Sequence, residues 1–386
     1  MVNIKYIILL NCILAFCFAI PVYSQLVFSK PVSHTVLDNC YLDTSLKITN
    51  LKSFSLSQRV FVLGEFHWLK GNKELEYCIF KELYNFAGVR VLALEIDVSY
   101  GYFINNYIET GDESILRMIH ETAGLNYTNR YKELRSFYLS LPLDDKFSVV
   151  GISNENGEIQ TMSPIYCIYQ LICNHNLHPD LKYIKDGISI MLHANKLPNK
   201  KELVKLCTRI HEHIISKPDL FKTCLLKDYV LFNNVIEGTI LGYNYTFNNL
   251  NDDNFKKREL FMYKTFCSIN DQIPDQKILC ITGKVHVNKK AGNWHIMKNW
   301  ISFTTMLNRD KSSPFKGSVL SGIIYYTNYT KFENRLYNSR IFSKTQKKIL
   351  GEIAANNDFK LIDICNYDSP FLDYCGQIDY IIVNDF

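Results

Sequence analysis

The chain has 386 residues, of which 47% are hydrophobic and 21% are charged, with only 17 glycines and 10 prolines. This composition excludes a disordered, collagen-like or low-complexity chain and supplies enough apolar residues for a large core. The 43 Lys and Arg residues exceed the 38 Asp and Glu residues by only five, and the excess is scattered, so we expect no nucleic-acid partner.

Residues 1–24 have the pattern of a secretory signal peptide. Lys5 supplies a positive start, Tyr6–Ala19 is a largely apolar run, and Val22-Tyr23-Ser24 places small residues where a signal peptidase cleaves. The run is about 14 residues long, whereas a helix that spans a bilayer needs about 20. We therefore expect a secreted or periplasmic protein whose mature chain begins near Gln25 and does not insert stably into a membrane.

From residue 59 onward, short apolar runs typical of buried parallel strands alternate with amphipathic helices. A strand at 59–64, a helix at 73–86, a strand at 89–94 and a helix at 100–110 follow in order. Strand and helix in this succession predict right-handed βαβ units and a parallel sheet. Further strands are predicted at 147–152, 278–282, 319–326 and 380–383.

Between the third and fourth of these strands the pattern is helical. Ser163 and Pro164 open one helix, Pro218 opens another that runs toward Gly238, and a third at about 254–269 carries Arg258. The predicted fold is therefore α/β, with a mainly parallel sheet flanked by helices and a helical insertion domain. The expected divisions are 25–160 for the first part of the α/β domain, 161–272 for the insertion and 273–386 for the second part.

Ten of the 12 cysteines follow the signal segment, and an oxidising compartment would allow them to form disulfides. Cys365 with Cys375 and Cys207 with Cys224 are the two pairs that the sequence suggests. The sequence lacks Gly-x-Ser-x-Gly, Walker, Gly-x-Gly-x-x-Gly and His-Glu-x-x-His motifs. It therefore does not predict an elbow-type serine hydrolase, a nucleotide-binding protein or a zincin protease.

Polar side chains follow four of the predicted strands, at the sheet edge where open α/β sheets bind ligands. These are Glu65 and His67 after the first strand, Glu95 and Asp97 after the second, Glu155 after the third and His286 after the fourth. Alternation turns Glu65 and His67 toward the same side. Two histidines and several carboxylates thus converge on one edge, which predicts a functional site, although Asp97 and Glu155 also suit helix caps.

The motifs that carry these residues resemble the erythromycin esterase-like superfamily, which includes the haem-binding ChaN-like proteins. Val62-Leu63-Gly64-Glu65-Phe66-His67, followed by a helix and Leu92-Ala93-Leu94-Glu95, is similar to the opening of that group. The resemblance continues through three later segments over about residues 58–290. These are Asn105–Asp112, the Arg-Glu-x-x-Met pattern within Lys257–Met262, and Gly283-Lys284-Val285-His286-Val287.

The resemblance implies an exported hydrolase that cleaves an ester or lactone of a small-molecule substrate with water activated at a histidine and no cofactor. It makes His67 the general base, with Glu65 and Glu95 orienting it or holding the water. His286 would stabilise the oxyanion or protonate the leaving alkoxide, and Arg258 would position a carboxylate. Asp97 and Trp68 are the candidates for substrate binding.

Three departures from the superfamily pattern keep other readings open. One residue, not two, separates Glu65 from His67, Trp68 stands where glycine is common, and Ser153 stands where the third strand often ends in aspartate. One alternative is a divalent metal held by Glu65, His67, Glu95 and His286. Others are a haem or ligand carrier, with Tyr100 or Tyr102 as axial ligand, and a degenerate homologue kept for interaction.

Overall fold

A twisted sheet of six parallel strands, extended at one edge by an antiparallel strand, organises the part of the chain that the structure describes. The computed structural model describes residues 57–67, 72–123, 128–155, 162–193, 200–244, 252–294, 297–326, 342–354, 360–364 and 371–384. All of these lie within one unit, Ile48–Phe386. The predicted signal peptide and Trp68 lie outside the described residues.

The strands confirm the predicted α/β class. Their bounds are Val60–Glu65 (β1), Val89–Asp97 (β2), Ser148–Ser153 (β3), Lys277–Gly283 (β4), Gly292–Trp294 (β5), Met297–Trp300 (β6), Val319–Tyr326 (β7), Lys360–Asp363 (β8) and Tyr380–Asn384 (β9). The sheet order is β3-β2-β4-β1-β7-β9-β8, and β5 pairs with β6 in a separate antiparallel ribbon. β2 runs three residues beyond its predicted end, because its pairing with β3 resumes after an irregularity between Leu94 and Asp97.

Twelve α-helices are present in the described part of the chain. Their bounds are Asn72–Ala87 (α1), Val98–Thr110 (α2), Glu113–Ala123 (α3), Thr128–Ser140 (α4), Ser163–Cys173 (α5), Lys182–His193 (α6), Lys200–Ser216 (α7), Pro218–Leu225 (α8), Tyr229–Asn244 (α9), Asp252–Gln272 (α10), Phe303–Arg309 (α11) and Lys344–Ala354 (α12). Among these helices, none is both long and apolar enough to cross a membrane.

Strand β1 lies inside the sheet and is covered on both faces. Val60 and Val62 belong to one hydrophobic cluster, and Phe61 and Leu63 belong to the cluster on the opposite face. All four side chains are buried, as expected for a strand between two helical layers. This double burial fixes the register of β1, and it therefore also fixes where the polar residues after β1 emerge.

The helices α5–α10 follow β3 and precede β4, where the sequence predicted a helical segment. The single helix expected from Pro218 to Gly238 is wrong, since a short 3₁₀ turn at Leu226–Asp228 separates α8 from α9. Leu226 has φ 49° and ψ −123°, which no α-helix accommodates, and it is neither the glycine nor the proline that usually announces a break. The division of the chain into domains stays a prediction.

Of the two suggested cysteine pairs, one stays a prediction and the other is wrong. Cys375 is disulfide-bonded, and its suggested partner Cys365 lies outside the described residues. Cys207 and Cys224 are both free thiols, so the second suggested pair is wrong. Cys207 lies in the hydrophobic core, where burial raises the pKa of its thiol to about 12. It therefore behaves as a small apolar side chain.

Candidate active site

The order of the strands brings the predicted site residues together. β2, β4 and β1 are consecutive and parallel, so their carboxyl ends lie side by side at one edge of the sheet. Glu95 comes from β2, Gly283 from β4 and Glu65 from β1. Thr282 and Gly283, which lie 187 and 188 positions from Glu95 in the sequence, are thereby placed within hydrogen-bond distance of a common centre.

Glu95 is that centre. Its Oε2 accepts hydrogen bonds from the Thr282 hydroxyl at 2.6 Å and the Gly283 amide at 2.5 Å, while its Oε1 accepts one from Arg258 Nη2 at 2.6 Å. His286 Nε2 lies 3.1 Å from the same Oε1. Burial alone would raise the pKa of Glu95, but the charges of His286 and Arg258 outweigh it and hold that pKa well below its usual value. Glu95 is therefore an ionised carboxylate.

His67 is the exposed member of the site. Its Nδ1 lies 2.9 Å from Glu65 Oε1, and 48% of its side chain is accessible to solvent. Since a carboxylate can only accept, Nδ1 carries the proton and Nε2 keeps a free lone pair. Nε2 faces Glu95 Oε2 at 3.9 Å, beyond hydrogen-bond distance. Burial lowers the pKa of His67, but the bond to Glu65 and the charge of Glu95 outweigh this and raise it.

His286 has the opposite surroundings. Only 2% of its side chain is exposed, and both ring nitrogens face carboxylates, with Nε2 near Glu95 and Nδ1 2.5 Å from Glu259 Oε1. Burial lowers the pKa of His286, yet the charges of Glu259 and Glu95 together raise it to about 9. The ring is therefore a buried cation at neutral pH, held between two anions.

Arg258 links the two sides of the site. It extends from α10, contacts Glu95, and donates to the Ser153 hydroxyl at the end of β3 through both Nε and Nη2. Its Nη1 lies 3.4 Å from His286 Nε2. With 28% of its side chain exposed, Arg258 is a cation that solvent reaches, whereas His286 is not. The role predicted for Arg258, to position a carboxylate, stays a prediction, and the carboxylate that Arg258 contacts in the structure is that of Glu95.

Gly283 allows the close approach of His67. A Cβ atom added at this position would lie 2.6 Å from His67 Nε2 and 3.4 Å from Glu95 Oε2. The backbone of Gly283 has φ −62°, which any residue can adopt. The glycine is thus needed for the space around the imidazole and not for its own conformation.

Asp97 and Glu155 lie in the interior beside this centre. Asp97 precedes α2 but makes no side-chain cap, so the cap role suggested for it is wrong. Glu155 instead accepts from the Ser99 amide at 2.8 Å, with its other oxygen 2.5 Å from the Ser99 hydroxyl, and thereby caps α2 from another segment. Burial and the charge of Asp97 raise the pKa of Glu155 well above its usual value, which keeps it protonated. The charge of Asp97 also acts on Arg258.

Glu259 is a site residue that the sequence analysis did not single out. It is fully buried, forms the ion pair with His286 and accepts from the Phe303 amide at the start of α11 at 2.6 Å. The signal was present in the Arg-Glu-x-x-Met pattern, where Glu259 directly follows Arg258. Consecutive helical residues point about 100° apart, so the pattern alone did not show that both reach the same imidazole.

The suggested metal donors do not fit a divalent ion as they are arranged. Both nitrogens of His286 face carboxylates, and the guanidinium of Arg258 already contacts the Glu95 oxygen that a metal would need. No group of three or more His, Cys, Asp and Glu side chains in the described ranges has the geometry of a metal site. Tyr100 is buried in the core, so its hydroxyl is not presented to a haem at the surface.

Comparisons with known proteins place this fold among solved structures. The sequence matches no family model and no curated protein. A mutant of the erythromycin esterase EreC, in its open conformation, aligns with a TM-score of 0.63 at 12% identity, covering 88% of this chain and 94% of that one. A succinoglycan biosynthesis protein aligns with a TM-score of 0.62 at 13% identity, covering 87% and 90% respectively.

A third structure, a protein from Bacillus cereus, aligns with a TM-score of 0.57 at 14% identity and covers 89% of this chain and 92% of that one. All three alignments extend over nearly the whole of both chains, so they show a common fold and not a shared fragment. The chain therefore has the fold that these three structures share, the erythromycin esterase among them, which agrees with the resemblance of its motifs.

Proposed function

We propose that this protein is a hydrolase that cleaves an ester or lactone, with His67 as the general base that activates a water molecule. One observation supports this most directly. Glu65 holds the Nδ1 proton of His67, which leaves Nε2 as an acceptor on a ring that is half exposed. An imidazole with a fixed tautomer, a free lone pair and a carboxylate behind it is suited to remove a proton from water.

The proposed reaction follows from these positions. Nε2 of His67 takes a proton from water as the oxygen attacks the substrate carbonyl carbon. The oxyanion that forms is stabilised by the guanidinium of Arg258, which Glu95 and Ser153 hold in place. The tetrahedral intermediate then collapses, the carbon–oxygen bond to the alcohol breaks, and His67 returns its proton to the leaving alkoxide. The products are a carboxylic acid and an alcohol, and no metal or cofactor takes part.

In this mechanism His286 acts through its neighbours. Because its side chain is 2% exposed and both nitrogens face carboxylates, it does not contact the substrate. Its positive charge keeps Glu95 ionised, and Glu95 in turn fixes Arg258. The oxyanion role that the sequence suggested for His286 is therefore assigned here to Arg258.

The substrate class and the location are parts of the same proposal. An erythromycin esterase among the structures of the same fold supports ester or lactone cleavage of a small molecule. The signal-like residues 1–24 support export, to the periplasm or the medium. Hydrolysis outside the cytoplasm requires only water as co-substrate, which agrees with a site that needs no nucleotide or reductant.

The first test compares His67→Ala with wild type on a panel of nitrophenyl esters and lactones, with metal analysis of both purified proteins. The matched control is His178→Ala, since His178 is also half exposed, at 50%, and lies beside the carboxylate of Asp180. We expect His67→Ala to lower kcat/KM by about 100- to 10,000-fold, the typical contribution of a general base. The control should keep wild-type turnover. Chelators should leave the turnover of the wild-type protein unchanged. Turnover that survives in His67→Ala would overturn the role of His67.

A further inference from the structure

A buried ion pair adjoins the site and has no role in the mechanism given above. Arg130 on α4 places its Nη2 2.7 Å from Oε2 of Glu76 on α1. The side chains are only 12% and 3% exposed. Because two charges removed from water stabilise a fold weakly or not at all, such a pair calls for a reason beyond stability.

Glu76 connects this pair to Glu65. The two carboxyl groups are joined by a side-chain hydrogen bond, and the charge of Arg130 also acts on Glu65. Glu76 and Glu65 are therefore neighbours, with Arg130 on the Glu76 side and His67 on the Glu65 side.

We propose that Arg130 and Glu76 are positioning residues that hold the Glu65 carboxylate against Nδ1 of His67. The chain of contacts runs Arg130, Glu76, Glu65, His67, and its first three members are largely shielded from solvent. By fixing Glu65, the pair keeps the proton of the neutral imidazole on Nδ1 and leaves Nε2 free as the base. The catalytic meaning of this role rests on the proposed function, whereas the position of the proton is a property of the protein without substrate.

The test measures directly which ring nitrogen of His67 carries the proton. In protein labelled with ¹⁵N-histidine, the ring nitrogen shifts at alkaline pH report which nitrogen of neutral His67 carries the proton. Wild type should show the Nδ1–H form. Glu76→Leu and Arg130→Met should release Glu65 and populate the Nε2–H form. Glu76→Gln should keep the wild-type tautomer, since its amide can donate to Glu65 while its carbonyl accepts from Arg130.

Two further variants keep the test decisive. Lys132→Met is the matched control, because Lys132 lies on the same helix in an exposed pair with Glu113 at 3.8 Å, and it should leave the tautomer unchanged. The double variant Glu76→Leu with Arg130→Met leaves no buried charge unpaired, so it should fold where a single variant fails. It should show the same change of tautomer, with kcat lowered by about 100-fold through a displaced base and KM little altered.

The outcomes separate the two proposals. If His67 keeps the Nδ1–H form in the folded double variant, Glu65 is held without Arg130 and Glu76, and the positioning role is wrong. If the tautomer changes as expected while wild type hydrolyses no ester or lactone, the positioning role stands and the hydrolase proposal fails. A change of tautomer together with the loss in kcat and its rescue by Glu76→Gln supports both.

Discussion

The two histidines of the site face the same carboxylate from opposite environments. His67 is half exposed, has one nitrogen bound to Glu65 and leaves the other 3.9 Å from Glu95. His286 is buried, and each of its nitrogens faces a carboxylate, Glu95 or Glu259. One residue type therefore provides two chemical groups, a base that can exchange a proton with solvent and a cation whose proton is trapped.

This difference explains why the carboxylates of the site do not raise the pKa of His67 further. The cation of His286 neutralises much of the negative charge of Glu95 and Glu259, and Arg258 neutralises more of it. Without them, the carboxylates near His67 would raise its pKa further and keep it protonated, which would remove its function as a base. The positive charge of the buried His286 thus allows the exposed His67 to act as a base at moderate pH.

The largest expected effect is on stability, and it tests the role of the buried His286. His286→Gln removes the cation between Glu95 and Glu259, so Glu259 loses its ion-pair partner and Glu95 keeps its contact to Arg258. We expect a loss of about 3–5 kcal/mol in the free energy of unfolding, the usual cost of breaking a buried ion pair. Urea unfolding followed by circular dichroism would measure it. His67→Ala is the comparison, and an equal loss in both variants would contradict the distinction drawn between the two rings.

The second prediction concerns a substitution that displaces the exposed imidazole of His67 without replacing it. Gly283→Ala places a methyl group 2.6 Å from the present position of His67 Nε2, so the half-exposed ring must swing aside. We expect kcat to fall by about 100-fold, since an error of about 1 Å in a catalytic group has that effect. Stability should change by less than about 1 kcal/mol, because φ is already ordinary.

Gly351→Ala serves as the control for that substitution. Gly351 lies in α12, and a Cβ there would meet no atom within 4 Å. This variant should keep wild-type turnover and gain a little stability from the helix propensity of alanine. If Gly283→Ala hydrolyses substrate as fast as Gly351→Ala does, the position of His67 seen here is not the one that catalysis uses.

The sequence predicted the site residues at the strand ends better than those on the helices. Glu65 and His67 follow an apolar strand by a few residues, and Glu95 and His286 stand at other strand ends, so the rule for ligands in α/β sheets located all four. The strands themselves were visible because both faces of β1 and β2 are buried, which produces continuous apolar runs.

The residues that the sequence did not reveal lie on helices. Glu76 stands three positions before Ile79 and seven before Leu83, on the stripe that packs into the core. A carboxylate on such a stripe is a signal of a buried partner, but the partner, Arg130, lies on α4 one residue before the buried Tyr131, and the sequence of neither helix indicates the other. Pairing between two helices distant in sequence is set by tertiary packing, which local periodicity does not encode.

The third prediction uses pH to separate the two histidines. His67 acts as a base only when it is unprotonated, and its pKa lies above 6.5, so kcat/KM should rise with pH through that raised pKa. The pKa of His286 rises from 6.5 to about 9 on folding. Its contribution to stability is therefore complete below about pH 6.5 and is lost as the pH increases through about 9.

Activity and stability should accordingly move in opposite directions as the solution becomes alkaline. Initial rates and urea unfolding measured over the same pH series would show this. In His286→Gln the loss of stability between pH 6.5 and 9 should become smaller, because the titrating group is absent. Activity that increases toward acid would contradict an imidazole base at His67.

The smallest expected effect on the free energy of unfolding comes from Glu155. Its comparison with Glu95 sets a neutral carboxyl group against a charged one. Glu95 is ionised because two cations contact it, whereas Glu155, which is fully buried, is kept protonated by burial and by the charge of Asp97. Glu155→Gln replaces one neutral group with another of the same shape. The bond from the Ser99 amide can persist, so we expect a change below about 1 kcal/mol in the free energy of unfolding at neutral pH.

Glu95→Gln should behave differently in the same measurement. It leaves Arg258 and His286 with a neutral partner, so the cost should reach several kcal/mol, as for a broken buried ion pair. If Glu155→Gln were as destabilising as Glu95→Gln, Glu155 would have to be an ionised carboxylate supported by a positive group. Our explanation is that burial without a neighbouring cation keeps Glu155 neutral, while Glu95 at the same edge of the sheet is charged. That explanation would then be wrong.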